Sequence, residues 1–241
     1  MNMSEVLNKI SNIFYPEHIK CLVCGDELDD EKDFCKICLK SLPFNNENIC
    51  DICGTKISGV GVCPICSGKK RVFEIARAPF LYTGEIKKLI HNFKYNNARY
   101  LFAPLSLYML EEYKAWNMNA DAIVPVPLFK KRFKQRGYNQ AEELAKELSR
   151  HLNIPVVNAV SKERETVSQT ELEYKKRQEN VKDAFKLTDK SVKNKNILLI
   201  DDVYTTGATV KEVCRVLNKA KVNKIYVLTL AHTEKNDKED V

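Results

Sequence analysis

No apolar run in this chain approaches the ~20 residues that a helix needs to cross a bilayer, so insertion into a membrane as a helical span is excluded. The first residues, Met1 to Val6, lack the basic start and apolar core of a secretory signal, and the expectation is a cytoplasmic protein. Acids are absent from one stretch: between Phe129 and Gly137 lie Lys130, Lys131, Arg132, Lys134 and Arg136 with no Asp or Glu among them. The net charge of +7 is moderate, so this local concentration matters more than the sum. There is also no helix-turn-helix pattern and no aromatic pattern of the RNP or OB type. What remains is an ordinary globular composition, 44% hydrophobic over 241 residues, enough for one α/β domain and a small appendage.

Cysteine is the residue in excess, with nine in the chain. Eight form four Cys-x-x-Cys knuckles: Cys21 with Cys24, Cys35 with Cys38, Cys50 with Cys53, and Cys63 with Cys66. In a cytosolic chain this pattern reads as metal binding ahead of disulfides or a redox pair. Two knuckles close a tetrahedral Cys₄ shell around Zn²⁺, which leaves no open coordination position, so two zinc ions with a structural role are expected. The simplest pairing is sequential, Cys21, Cys24, Cys35 and Cys38 on one ion and Cys50, Cys53, Cys63 and Cys66 on the other. Spacing alone leaves interleaved pairing open. Large apolar residues are few across 20–68, so this region depends on its metal to fold. Cys214 stands alone and reads as a small buried apolar residue.

The stretch 197–209 carries the chemistry. Ile197 to Ile200 form an apolar run expected for a strand buried on both faces of a parallel sheet. Asp201 and Asp202 follow at its end, then Thr205, Thr206, Gly207, Ala208 and Thr209, then a helix with Val210, Val213, Cys214 and Leu217 on one face. Backbone N–H groups at a helix start suit a phosphate, and the Thr hydroxyls add donors. Gly207 lets the backbone approach the anion. The two carboxylates would accept hydrogen bonds from a sugar diol next to that phosphate.

Around it, helical spacing is read over 4–14 and from Gly84 to Tyr95, where Ile86, Leu89, Ile90 and Phe93 share a face and Lys87, Lys88, His91 and Lys94 lie off it. A second helix is expected from about Arg99 to Trp116. Residues 71–82 look extended, and 122–128 read as a buried strand running into a basic loop. Helix resumes after Gln140, and strands are expected over 154–160 and 224–230.

The 197–209 run resembles the phosphoribosyl-diphosphate (PRPP) binding motif of type I phosphoribosyltransferases. Taken with the segment 125–128, the run Arg136 to Gln140, the spaced Gln169, Leu172, Arg177, Asn180, Ala184 and Phe185, and the cysteine-rich start, the chain resembles the ComF/GntX family over about residues 20–232. A Tyr at position 138, where the family often has Phe, is a mild departure. The resemblance implies an α/β fold, a type I phosphoribosyltransferase-like parallel sheet flanked by helices, with a small zinc-ribbon region in front. The expected organisation is a helix within 1–19, a double zinc ribbon over 20–70, a phosphoribosyltransferase-like domain over 71–232 and a charged, disordered tail over 233–241. By the same resemblance Asp201 and Asp202 hold the ribose as the catalytic acids, and residues 205–209 hold the 5′-phosphate. Lys130, Lys131, Arg132 and Arg136 form a loop for pyrophosphate or nucleic acid, with Mg²⁺ accompanying PRPP. Residues 161–182, including Lys176 and Arg177, form a mobile loop over the site.

Two functions follow from the resemblance. One is DNA uptake in natural transformation, handling single-stranded DNA, with a DNA-uptake helicase as an expected partner. The other is an active Mg²⁺-dependent phosphoribosyltransferase with an unknown acceptor. A PRPP-sensing regulator lacks any reader element in the sequence.

Overall fold

A computed structural model describes residues 20–28, 33–68, 70–96, 98–166 and 181–234. The expected helix over 4–14, most of the expected mobile loop with Lys176 and Arg177, and nearly all of the charged tail lie outside these residues. The chain divides into two compact units, Met1–Leu42 and Pro43–Val241.

In the first unit, Lys20 bridges to Glu27 around the Cys21–Cys24 knuckle, and helix α1 (Lys36–Ser41) starts at the next knuckle. Cys35 caps it, its sulfur accepting from the Cys38 N–H at 3.4 Å. Among the described residues of this unit, Phe34 and Leu42 are the buried large side chains.

The second unit is built on a sheet whose strands all run parallel. They are β1 (Ile75–Arg77), β2 (Phe80–Leu81), β3 (Ala122–Pro125), β6 (Asn196–Tyr204) and β7 (Lys224–His232), and β6 lies between β3 and β7. β1 and β2 share one edge of β7, pairing with 226–228 and 231–232. The break between them falls at Pro79, which has no N–H for the ladder. Ile197 to Ile200 are fully buried, as the unbroken apolar run requires, because helices cover both faces.

Helix α2 (Gly84–Tyr95) buries Ile86, Leu89, Ile90 and Phe93, the face its sequence periodicity foretold. Burial of each such side chain contributes about 1.5–3 kcal/mol. A 3₁₀ turn (Arg99–Leu101) leads into α3 (Phe102–Ala115), which packs against β7 and against α5 (Gln140–Leu152). Helix α6 (Ala208–Lys219) follows β6 and buries Val210, Val213, Cys214 and Leu217. Cys214 is fully buried, and desolvation pushes its thiol up, as suits an inert core residue.

Four expectations change. The basic segment is not a loop: Lys130–Arg136 is a helix, α4, composed of good helix formers and closed by Gly137 in the left-handed conformation. The strand expected over 154–160 reduces to one bridge from Val156 to Ile123. Pairing resumes only at β4 (Val160–Lys162), which leaves the main sheet and pairs antiparallel with β5 (Phe185–Leu187). The start of the expected mobile loop is therefore strand. Finally, β6 does not stop before the acids; Asp201 and Asp202 lie within it.

Candidate functional site

The site follows from a mismatch in strand length. β3 stays in register with β6 only as far as Pro125 opposite Ile200, whereas β6 continues alongside β7 to Tyr204 opposite His232. The last residues of β6 thus overhang with one edge unpaired among the described strands, at the carboxyl ends of the strands where ligands of open α/β sheets bind. The overhang forms the floor of a cleft of about 890 Å³.

Asp201 and Asp202, as neighbours on a strand, point to opposite sides. Asp202 meets Lys94 of α2, Nζ to Oδ2 being 2.6 Å, with both side chains largely covered at 17% and 16% exposure. Burial alone would lower the Lys94 pKa, yet the Asp202 carboxylate outweighs it and holds the ammonium above its ordinary value. Asp201 is pushed up to about 8, first by desolvation and then by the adjacent Asp202 charge, while Lys94 and Lys162 pull the other way. Lys162 of β4 is lowered to about 8 by desolvation and by the nearby Arg132 charge. Two carboxyl groups and two lysines thus line the one cleft.

The phosphate loop closes one end. Gly207 has φ +72° and precedes the first turn of α6; a Cβ there would collide with the Tyr204 hydroxyl. Thr205, Gly207 and Thr209 line the cleft. Thr206 does not; its hydroxyl accepts from the Ala208 N–H at 3.4 Å and shapes the turn. Ala208 lines a smaller cavity that also reaches Cys66.

The run Arg136 to Gln140 forms the opposite wall, each residue with its own task. Gly137 ends α4, and its N–H bonds to the Phe133 carbonyl. The Tyr138 hydroxyl donates to the Phe93 carbonyl near the end of α2. A Phe there could not make that bond, so the departure from the family pattern has a structural consequence. Asn139 caps α5, accepting from the Ala141 N–H at 3.2 Å, and its amide donates to the Val126 carbonyl at 3.0 Å. Of the basic residues, Arg132 and Arg136 line the cleft and Lys130 and Lys131 do not; Lys131 pairs with Glu165 at 3.3 Å. Sequence reading passed over Lys94 and Lys162. Periodicity places Lys94 off the apolar face of its helix, and the face it occupies looks into the cleft.

The cysteines assemble as two tetrads, Cys21, Cys24, Cys35 and Cys38, and Cys50, Cys53, Cys63 and Cys66, with all sulfurs of each within 4.8 Å of one another. That resolves the pairing as sequential. Cys24 and Cys35 sulfurs are 3.9 Å apart, and those of Cys53 and Cys63 are 3.7 Å apart. A tetrahedral ion with Zn–S bonds of ~2.3 Å sets its sulfurs ~3.8 Å apart, while a disulfide brings them to ~2.0 Å. The tetrads therefore fit zinc. Backbone N–H groups of Cys35 and Cys63 donate to the sulfurs of Cys21 and Cys50 at 3.4 and 3.3 Å, stabilising thiolate charge.

Residues 10–67 match the profile of a double zinc ribbon domain, and residues 135–241 match that of a phosphoribosyl transferase domain. The protein is thus a zinc-ribbon protein of phosphoribosyltransferase fold. Competence protein F of Haemophilus influenzae is 32% identical over 227 residues, spanning 89% of this chain and 97% of that protein. DNA utilization protein YhgH of Escherichia coli is 30% identical over 206 residues, 83% of this chain and 90% of that one. Competence protein ComFC of Bacillus subtilis is 28% identical over 230 residues, with coverage of 87% and 93%. The chain belongs to the ComF/GntX family. Among the described residues, no helix is long and apolar enough to cross a membrane.

Proposed function

We propose that the protein acts in DNA uptake during natural transformation, handling incoming single-stranded DNA in the cytoplasm, and that its cleft binds PRPP with Mg²⁺. The observation that carries the reading is a single cleft that joins an acidic pair, a helix-start anion loop and a cationic wall. The names of the relatives, competence and DNA utilization proteins, support the DNA role.

In this reading Asp201 and Asp202 accept the ribose hydroxyls. Thr205, Gly207 and Thr209 face the 5′-phosphate, with Thr206 and Ala208 shaping the turn. Arg132 and Arg136 take the pyrophosphate, and Lys130 and Lys131, outside the cleft lining, are left to meet nucleic-acid phosphates. The carboxylate oxygens are hard donors that suit Mg²⁺ beside phosphates, and the ion would offset the charge of the leaving pyrophosphate. Lys176 and Arg177 of the covering loop, and a helicase partner, stand as family expectations.

One observation favours a second reading, an active phosphoribosyltransferase. A carboxyl raised to about 8, as at Asp201, can exchange a proton near neutral pH. The C1–pyrophosphate bond would break with its electron pair leaving on pyrophosphate, the acceptor would bond to C1, and the acceptor's proton would pass to Asp201 in its ionised form.

The test is calorimetric titration of Mg²⁺–PRPP into the wild type and the Asp201→Asn/Asp202→Asn variant. Loss of the carboxyl oxygens that accept the two hydroxyls should weaken binding more than about 100-fold. Because Lys94 then loses its partner, a variant that also carries Lys94→Met guards against misfolding. Unchanged affinity in a folded variant would sink the PRPP reading. For DNA, labelled single strands are titrated at two salt concentrations with Mg²⁺–PRPP as competitor. Salt-sensitive binding displaced by PRPP supports the DNA role. Absence of binding at low salt, with PRPP still bound, turns the function to the enzyme.

A further inference from the structure

The cleft rim carries an aromatic group that neither a phosphate nor a ribose requires. Tyr95, the last residue of α2, lines the cleft yet is 62% exposed. Its ring nonetheless has two close neighbours. His91, one turn earlier, packs on it with centroids 4.5 Å apart, and the Arg136 guanidinium sits 5.2 Å from the Tyr95 centroid. Arg136 Nη2 is 3.5 Å from the Tyr95 hydroxyl, and Nη1 donates to Gln140 Oε1 at 3.2 Å. Gln140 lines the same cleft and is 2% exposed, and its amide nitrogen has no hydrogen-bond partner among the described residues. A buried donor left unpaired is costly, and an incoming acceptor removes the cost.

We infer that the Tyr95–His91 pair is a stacking platform for a nucleobase of single-stranded nucleic acid, joined through Arg136 to the phosphate-binding wall. This deepens the DNA reading and rests on it. The degree of exposure decides what kind of ligand carries the base. Small-molecule sites bury ~70–90% of their ligand, and a ring as open as Tyr95 cannot enclose a free base. A base on a strand needs no enclosure. Neighbouring phosphates held by Lys87, and by Arg132 and Arg136 whenever PRPP does not occupy them, on the cleft wall keep it at high local concentration, and stacking on an aromatic face adds sequence-tolerant affinity. Arg136 serves both halves, its guanidinium over the Tyr95 ring and its charge available to the backbone.

The test uses the full, zinc-loaded chain and a labelled oligothymidylate of ~16 nucleotides, read by fluorescence anisotropy at several salt concentrations. Tyr95→Ala should weaken binding roughly 5- to 150-fold while leaving the salt slope unchanged, since stacking releases no counterions. Tyr95→Trp should restore or tighten binding, which a merely structural role for Tyr95 would not do. Arg136→Gln should flatten the salt slope by about one. A 2-aminopurine in the strand should be quenched by the wild type and not by Tyr95→Ala. If the wild type binds the strand and Tyr95→Ala matches it within twofold, the platform is overturned while the DNA reading stands. Tyr95-dependent binding of a nucleoside monophosphate with none of the strand overturns the strand as ligand. Binding of neither removes the DNA reading beneath the inference.

Discussion

The two cysteine tetrads share ligand set, knuckle spacing and turn, yet they differ in what holds them. In each, a Gly follows the second cysteine with positive φ, +78° at Gly25 and +68° at Gly54, and a backbone bond closes the knuckle. In the first, Cys24 is exposed and a Cβ on Gly25 would meet open space. In the second, Cys50, Cys53 and Cys63 are buried, and a Cβ on Gly54 would lie 2.6 Å from the Ala76 carbonyl oxygen of β1. The second knuckle is also tied to the sheet edge. The Ala76 N–H donates to Ile52 O at 2.7 Å, and the buried Arg77 guanidinium donates to Ala76 O at 2.8 Å and Asp51 O at 2.9 Å. Identical motifs thus serve different folding units: one organises its own small unit, the other is part of the wall of the sheet.

The largest expected effect comes from breaking one ligand in each tetrad. Cys53→Ser should lose a zinc and lower the melting temperature of the sheet unit by roughly 10 °C or more, whereas Cys24→Ser should lose a zinc and leave that unit within about 2 °C of the wild type. Metal analysis with calorimetry reads both, and equal shifts would erase the distinction. Next comes Arg77→Met, which leaves carbonyls of Asp51 and Ala76 without their buried donor; chemical denaturation should show a loss of about 2–3 kcal/mol. Smaller still are the glycines. Both positive-φ sites make Ala unfavourable by about 1 kcal/mol, and Gly54→Ala should exceed Gly25→Ala because the Ala76 carbonyl must move as well.

The adjacent acids repeat the contrast within two residues. Asp202 has a lysine partner, while burial raises Asp201 to about 8. A carboxyl with a folded pKa above its unfolded value holds its proton longer when folded, so ionising it destabilises the fold as pH rises from about 4 toward 8. Asp201→Asn should therefore gain stability relative to the wild type as pH climbs through that window, measured as a melting-temperature difference. A flat difference would mean that burial does not raise the Asp201 carboxyl.

The sequence alone determined most elements of the main sheet and the acids, threonines and cysteines of the sites. Apolar periodicity set the faces of α2 and α6 and the buried run Ile197 to Ile200, because those patterns are local and dictated by burial. Knuckle spacing fixed a Cys₄ ligand chemistry for the same reason. Tertiary structure decided the rest. Sequential zinc pairing depends on which knuckles meet in space. The acids became part of β6 because β7 extends the pairing that β3 ends. Lys94 and Lys162 entered the site because α2 and β4 bring them from 107 and 39 positions before Asp201. A charge that periodicity marks as off the core can face either water or a cleft, and only packing between distant segments distinguishes the two.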